Sequence, residues 1–216
     1  MRVLLTAGGT REPIDDVRVI ANTSSGRLGA RCAEAFARAG HEVTLLHGVQ
    51  AERPTSSAAS LRCRSFDTSS DLAELLREHA PQAEVVLHAA AVADYTPERA
   101  TGKLASEAET LVLRLHRAPK LIDGLRELAP RALLVGFKLT SGKSEPEREQ
   151  VAEALRTRAR LDLVVSNDAA RTGEHDHEAL VFAAGGVVGR ATGKRQIADT
   201  LVELVSARAQ AQAESS

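Results

Sequence analysis

The feature that most constrains this chain is a series of apolar runs, each too short for a helix, separated by segments of helical periodicity. Val3 to Thr6, His41 to Leu46, Leu61 to Phe66, Val85 to Ala91, Ala132 to Lys138 and Asp162 to Ser166 each read as a strand. Between them, Leu28, Cys32, Ala35 and Phe36 recur at helical spacing, opened by Ser24-Ser25-Gly26 with serine as N-cap and closed by Gly40. Asp71 to His79, Lys120 to Leu128, Ser144 to Arg160 and Lys194 to Arg208 read as further helices. Strands alternating with helices predict a parallel sheet covered on both faces. The expected fold is therefore α/β: a three-layer, Rossmann-like, mostly parallel sheet with helices on both faces. Ala179 to Ala184 and Gly186 to Arg190 predict a hairpin about Gly185. Thr110 to His116 places leucine at every second position, as in an exposed strand forming one arm of an added β-ribbon. Residues 11–23 and 92–109 read as irregular and loop-like.

With 216 residues and 43% hydrophobic content, one sizeable core is expected. The expected boundaries are one domain over 1–216, with 209–216 a frayed tail. A formal net charge of −1 and 2% aromatic residues argue against a nucleic-acid partner. No apolar run approaches the roughly 18 residues of a membrane helix, and the N-terminus reaches Gly8-Gly9 too soon for a signal peptide. The expectation is a cytoplasmic, reduced protein without a membrane partner. Cys32 and Cys63 fall inside predicted elements and read as small buried hydrophobes. Glu174-His175-Asp176-His177 would bind metal only if a third ligand converged; otherwise it is a solvated loop.

In such a sheet, ligands sit beyond the carboxyl ends of the strands at a topological switch point. The turn Ala7-Gly8-Gly9-Thr10 follows the first strand, and its amides suit a phosphate. An ordinary dinucleotide fingerprint is excluded by spacing. Residues 10–25 stand between the glycine turn and the helix, and the second strand runs into Leu46-His47-Gly48 without the usual ribose-binding acid. An NAD(P)-dependent short-chain-type oxidoreductase would need Tyr-x-x-x-Lys, but the only tyrosine, Tyr95, is followed four residues on by Arg99. A non-catalytic nucleotide-binding module is the other alternative.

The insertion is the specific part. Thr6-Ala7-Gly8-Gly9-Thr10-Arg11-Glu12-Pro13-Ile14-Asp15, then Val17-Arg18-Val19-Ile20-Ala21-Asn22-Thr23-Ser24-Ser25-Gly26-Arg27-Leu28-Gly29, closely resembles the opening of phosphopantothenate–cysteine ligases of coenzyme A synthesis. The likeness continues at Ala89-Ala90-Ala91-Val92-Ala93-Asp94-Tyr95, Gly102-Lys103-Leu104, Val135-Gly136-Phe137-Lys138-Leu139 and Asp162 to Asp168. Two departures stand out: Ala105-Ser106 replaces a second lysine or serine run, and Gly136-Phe137-Lys138-Leu139-Thr140, a form that looks more like the stand-alone branch, replaces the Gly-Phe-Ala-Ala-Glu-Thr of many bifunctional bacterial members. Met1 begins directly at the ligase strand, so neither flavin nor decarboxylation is expected.

The resemblance implies a ligase joining 4′-phosphopantothenate to L-cysteine through an acyl nucleotide, with Mg²⁺ and either CTP or ATP. It implies Lys103 as the cation at the α-phosphate, Asn22 as the handler of the intermediate, and Arg18 near the substrate, reaching across a homodimer. Each has a plainer alternative: a solvated lysine, an Asx helix cap, and a surface salt bridge to Asp15 or Asp16. Gly8, Gly9, Thr10, Ser25, Gly26, Ala90, Asp94, Phe137 and Lys138 are implied to hold the nucleotide, and Ala91 the substrate. Asp94 either meets the ribose or the metal with the triphosphate, or caps its loop. Phe137 either meets the base or packs in the core. Asn167 and Asp168 either shape the site or cap the turn that follows.

Overall fold

In the computed structural model, residues 1–56, 58–105, 109–169 and 177–214 are described, with side chains to 211. The strands are β1 (Arg2–Ala7), β2 (Arg11–Pro13), β3 (Val19–Ala21), β4 (Glu42–Gly48), β5 (Leu61–Phe66), β6 (Val85–His88), β7 (Tyr95–Pro97), β8 (Leu115–Arg117), β9 (Leu133–Thr140), β10 (Leu163–Asp168), β11 (Glu178–Ala183) and β12 (Gly186–Thr192). The helices are α1 (Arg27–Arg38), α2 (Ser69–His79), α3 (Leu121–Leu128), α4 (Glu145–Arg158) and α5 (Lys194–Glu214).

Eight strands form one sheet in the order β12-β11-β10-β9-β6-β1-β4-β5. The six from β10 to β5 run parallel. The hairpin β11–β12 completes it antiparallel, with an irregular register at Val181/Phe182. Alternation along each strand divides the core. Leu5, Leu45, Leu87, Val135 and Val165 face Cys32, Phe36, Ile197 and Leu201 of α1 and α5. Leu4, Leu46, Val86, Leu134 and Val164 face Leu72, Leu76, Leu125 and Leu155 of α2, α3 and α4. Both faces are apolar because both carry helices, which is why these strands read as continuous hydrophobic runs.

From β1 the chain steps outward through β4 and β5, then returns to β6 on the opposite side. The switch point therefore lies between the carboxyl ends of β1 and β6.

Several expectations need correction. Residues 11–23 are not irregular: β2 and β3 pair antiparallel. The expected strand 110–116 reduces to Leu115–Arg117, and its ribbon partner is Tyr95–Pro97. The fourth strand stops at His88. Helix α5 continues through Glu214, so residues 209–214 are helical rather than frayed. The N-cap of α1 is Gly26 with φ 73°, without a side-chain cap, so serine does not cap it. Cys63 is exposed, because β5 is an edge strand; Cys32 is buried as expected.

Candidate active site

The loops after β1 and β6 are knitted together at the switch point. Gly9 bridges Ala91. Ala91 N donates to Gly8 O (2.8 Å) and Thr10 N to Ala91 O (3.1 Å). Thr10 is fully buried, and its Oγ1 accepts from Ala93 N (3.0 Å). Asn22, at the end of β3, donates through Nδ2 to Ala91 O (2.7 Å), and its own N donates to Thr10 O (3.2 Å). It is therefore a rim residue rather than a helix cap. One amide hydrogen is committed; the other, with Oδ1, remains for a ligand.

Close approach requires the glycines here. A Cβ on Gly9 would stand 2.4 Å from Asn22 O. Gly8 has φ +84°, and a Cβ there would stand 2.6 Å from Ala51 Cβ. A Cβ on Gly26 would meet the same methyl at 2.7 Å. The first-turn amides of α1, left without a side-chain cap, thus open beside the Gly8 turn, an arrangement suited to an oxyanion. Ser25 is exposed there, with its backbone O accepting from Glu52 N (2.9 Å).

Beneath this loop lies a buried polar pair. Thr6 Oγ1 is 2.9 Å from His88 Nδ1 and accepts from Ala90 N (3.1 Å). Burial pushes the His88 imidazole down to a pKa of about 4. The ring is neutral at pH 7, and its contact fixes from below the Thr6 hydroxyl that holds the Ala90 amide.

Other candidates sit further along the rim. His88 is in register with Gly136. Phe137 and Lys138 therefore extend past the end of β6, beside the 89–91 loop. Phe137 is half-buried against the α1 side of the core, and Lys138 is exposed. Asp94 is exposed and accepts from Lys120 Nζ; Ala118 N donates to Asp94 O (2.9 Å). Lys120 thus brings to the rim a cation whose sequence context marks only the start of a helix. Lys103 is exposed and makes no ion pair among the described residues. Arg18 makes the expected ion pair with Asp15, but with a carboxylate that is buried rather than on the surface. Its Nη2 donates to Leu104 O (3.0 Å), and its Nε lies 3.7 Å from a fully buried Asp15 carboxylate. Asn167 is buried, with Nδ2 donating to His177 Nε2 (2.6 Å), while Asp168 Oδ1 accepts from Gly142 N (3.4 Å). His175 lies outside the described residues. Burial, with Asp199 nearby, pushes the Cys32 thiol up to about 12, which removes it as a nucleophile.

The structure thus joins Gly8, Gly9, Thr10, Asn22, Gly26, Ala90 and Ala91 into one rim. Asp94 stands on the loop after β6, Lys103 on the loop between β7 and β8, and Phe137 on strand β9.

Known proteins share this layout. Residues 1–208 match the DNA/pantothenate metabolism flavoprotein C-terminal domain family. The coenzyme A biosynthesis bifunctional protein CoaBC of Methanocaldococcus jannaschii is 32% identical over 94% of this chain and 50% of its own length. That of Thermococcus kodakarensis is 37% identical over 83% of this chain and 44% of its own. The chain therefore spans about half the length of these curated relatives. The crystal structure of the DNA/pantothenate metabolism flavoprotein from Streptococcus pneumoniae superposes with a TM-score of 0.90. It is 29% identical and covers 96% of this chain and 99% of that one.

Proposed function

The chain belongs to the DNA/pantothenate metabolism flavoprotein C-terminal domain family, and on that premise we propose that it is the ligase joining 4′-phosphopantothenate to L-cysteine. The observation that carries the reading is the rim between β1 and β6. There Asn22 is locked on Ala91 O beside the uncapped first turn of α1, so amide donors and a side-chain amide face one crevice.

The chemistry starts from a poor electrophile, a carboxylate. One carboxylate oxygen of phosphopantothenate attacks the α-phosphorus of CTP or ATP, the P–O bond to pyrophosphate breaks, and an acyl nucleotide forms. The cysteine amine then attacks the acyl carbon, loses a proton and expels the nucleoside monophosphate. Negative charge concentrates at the α-phosphate in the first step, so fixed donors and cations contribute most there. Lys103 supplies that cation. The Gly8–Thr10 turn, Ser25 and the first turn of α1 hold phosphate oxygens, with Ala90 and Lys138 at the flank and Phe137 against the base. Asn22 holds the acyl oxygen over Ala91. Mg²⁺ bound with the triphosphate would supply charge neutralisation for the leaving pyrophosphate. Asp94, a single exposed carboxylate at the rim, fits an ion held by one or two carboxylates plus phosphates.

The exposed apolar residues Val17, Val19, Tyr95, Leu111, Val112 and Leu115 lie on the β2–β3 turn, the β7–β8 ribbon and the segment leading into it. They favour a homodimer, with Arg18 at the joint. A cytoplasmic location fits a chain in which no described helix is long and apolar enough to cross a membrane.

The test is pyrophosphate release with CTP and with ATP, on the native chain and on Lys103→Ala. Release should require both phosphopantothenate and cysteine for full turnover and fail in the variant. Nucleotide binding without any phosphopantothenate-dependent release overturns the reading.

A further inference from the structure

We infer that Asp15 is the positioning residue of Lys103, pinning the backbone beside this lysine from the far side of the β2–β3 turn; the inference rests on the ligase reading. Asp15 is only 2% exposed, although it belongs to an acidic pair in a polar turn. Its Oδ1 accepts from Val17 N (2.9 Å) and Arg18 N (2.7 Å), which shapes the turn it sits in. Its Oδ2 reaches across to another loop and accepts from Leu104 N (3.0 Å). Arg18 Nη2 closes the same residue from its other side, donating to Leu104 O (3.0 Å). One position along, Asp16 N donates to Gly102 O (3.3 Å), and Ala100 N donates to Ile14 O (2.9 Å).

Two of these bonds bracket Lys103. Gly102 O belongs to the peptide that precedes it and Leu104 N to the peptide that follows it. Both peptide planes at Lys103 are therefore fixed by residues 15 and 16, with Gly102 (φ +76°) making the bend. An exposed lysine has a long flexible stem, so fixing its Cα is the way to limit where the ammonium can go. A buried carboxylate is costly unless its lone pairs are filled, and here amide donors fill them. Burial alone pushes the Asp15 carboxyl up; the amides of Val17, Leu104 and Arg18, with the Arg18 charge, more than reverse this and hold it below its usual value. Enclosed by donors in this way, Asp15 is unsuited to act as a base or metal ligand.

Asp15→Asn is the discriminating variant. Its oxygen can still accept from Val17 and Arg18, but its NH₂ then confronts the Leu104 amide, donor against donor. Expected is a fall in kcat of about tenfold to a hundredfold with little change in nucleotide KM. The double variant Asp15→Asn/Lys103→Ala should be no slower than Lys103→Ala alone, since both changes remove one interaction. Losses that multiply, or an unchanged kcat in Asp15→Asn, overturn the inference. If Asp15→Asn fails to fold, Asp15→Ser, whose single short hydroxyl can serve the turn amides but not Leu104 as well, replaces it in the same cycle with the same expectation. A native chain that turns over no nucleotide sinks the ligase reading. The pinning is then read on hydrogen exchange, where a Leu104 amide as protected in Asp15→Asn as in the native chain overturns the role of Asp15.

Discussion

The rim between β1 and β6 and the β7–β8 ribbon are built by opposite means. In the rim, Gly8, Gly9 and Gly26 let three chain segments come closer than any side chain allows, and Thr6, Thr10 and His88 are buried with partners. In the ribbon, three residue pairs hold two short strands, and Tyr95 and Leu115 are 54% and 43% exposed. The first region is held by hydrogen bonds and close backbone approach. The second leaves apolar surface that only another surface can cover. The contrast teaches a division of labour: a tightly packed frame at the switch point, and a peripheral arm with apolar surface left exposed.

The sharpest way to break that contrast is Gly9→Ala. The new methyl would overlap Asn22 O at 2.4 Å, so the β3 end must move away from Ala91. Expected are a loss of about 3 kcal/mol in stability and a further fall in turnover of about a hundredfold from the displaced Asn22. Urea unfolding and steady-state kinetics check both; a variant as stable and as active as the native chain would show that the rim is soft. Lys103→Ala comes next, with kcat lower by about a hundredfold to a thousandfold. Its melting temperature should stay unchanged, since Lys103 is exposed and forms no ion pair among the described residues.

The buried pair beneath the rim predicts a pH effect. The His88 pKa is lowered from 6.5 to about 4, so the unfolded chain takes up the proton first as pH falls. The stability this group contributes is whole above pH 6.5 and drains away between 6.5 and 4. By a pH of about 5 the loss should be about 2 kcal/mol. Urea midpoints at about pH 7 and about pH 5 should therefore differ less in His88→Asn than in the native chain; an equal difference would mean that the histidine is solvated. The smallest effect belongs to the arm. Val112→Glu should change monomer stability by less than about 0.5 kcal/mol while light scattering shows a shift from dimer to monomer. A native chain that is monomeric at assay concentrations would mean that a second copy does not cover the exposed patch.

The sheet was legible because its strands are buried on both faces, and no other element gives runs such as Val3-Leu4-Leu5 between helical periods. The glycine rim was legible through Ala7-Gly8-Gly9 and the long spacing to Gly26. Residues 11–23 were not, because β2 and β3 have only three residues each and owe their form to the two loops they touch. Asp15 read as one of two surface acids: nothing local reveals that it will be buried against Leu104, eighty-nine positions away. Lys120 was hidden for the same reason, since its partner Asp94 lies on another loop. Cys63 misled because β5 is an edge strand, where Arg62 through Ser65 are all exposed and only Phe66 is buried.

Ala51 is a single methyl on which two backbone turns rest, since a Cβ on either Gly8 or Gly26 would fall within 2.7 Å of it. Three separate stretches of chain are in this way sized against one another like stones at the crown of an arch. Trimming Ala51 to glycine would open space without freeing its neighbours to change, for Gly8 and Gly26 both keep the left-handed backbone that resists a side chain. Attempts to widen this crevice would therefore do better to begin by lengthening the loop that carries Ala51 than by substituting any one of the three.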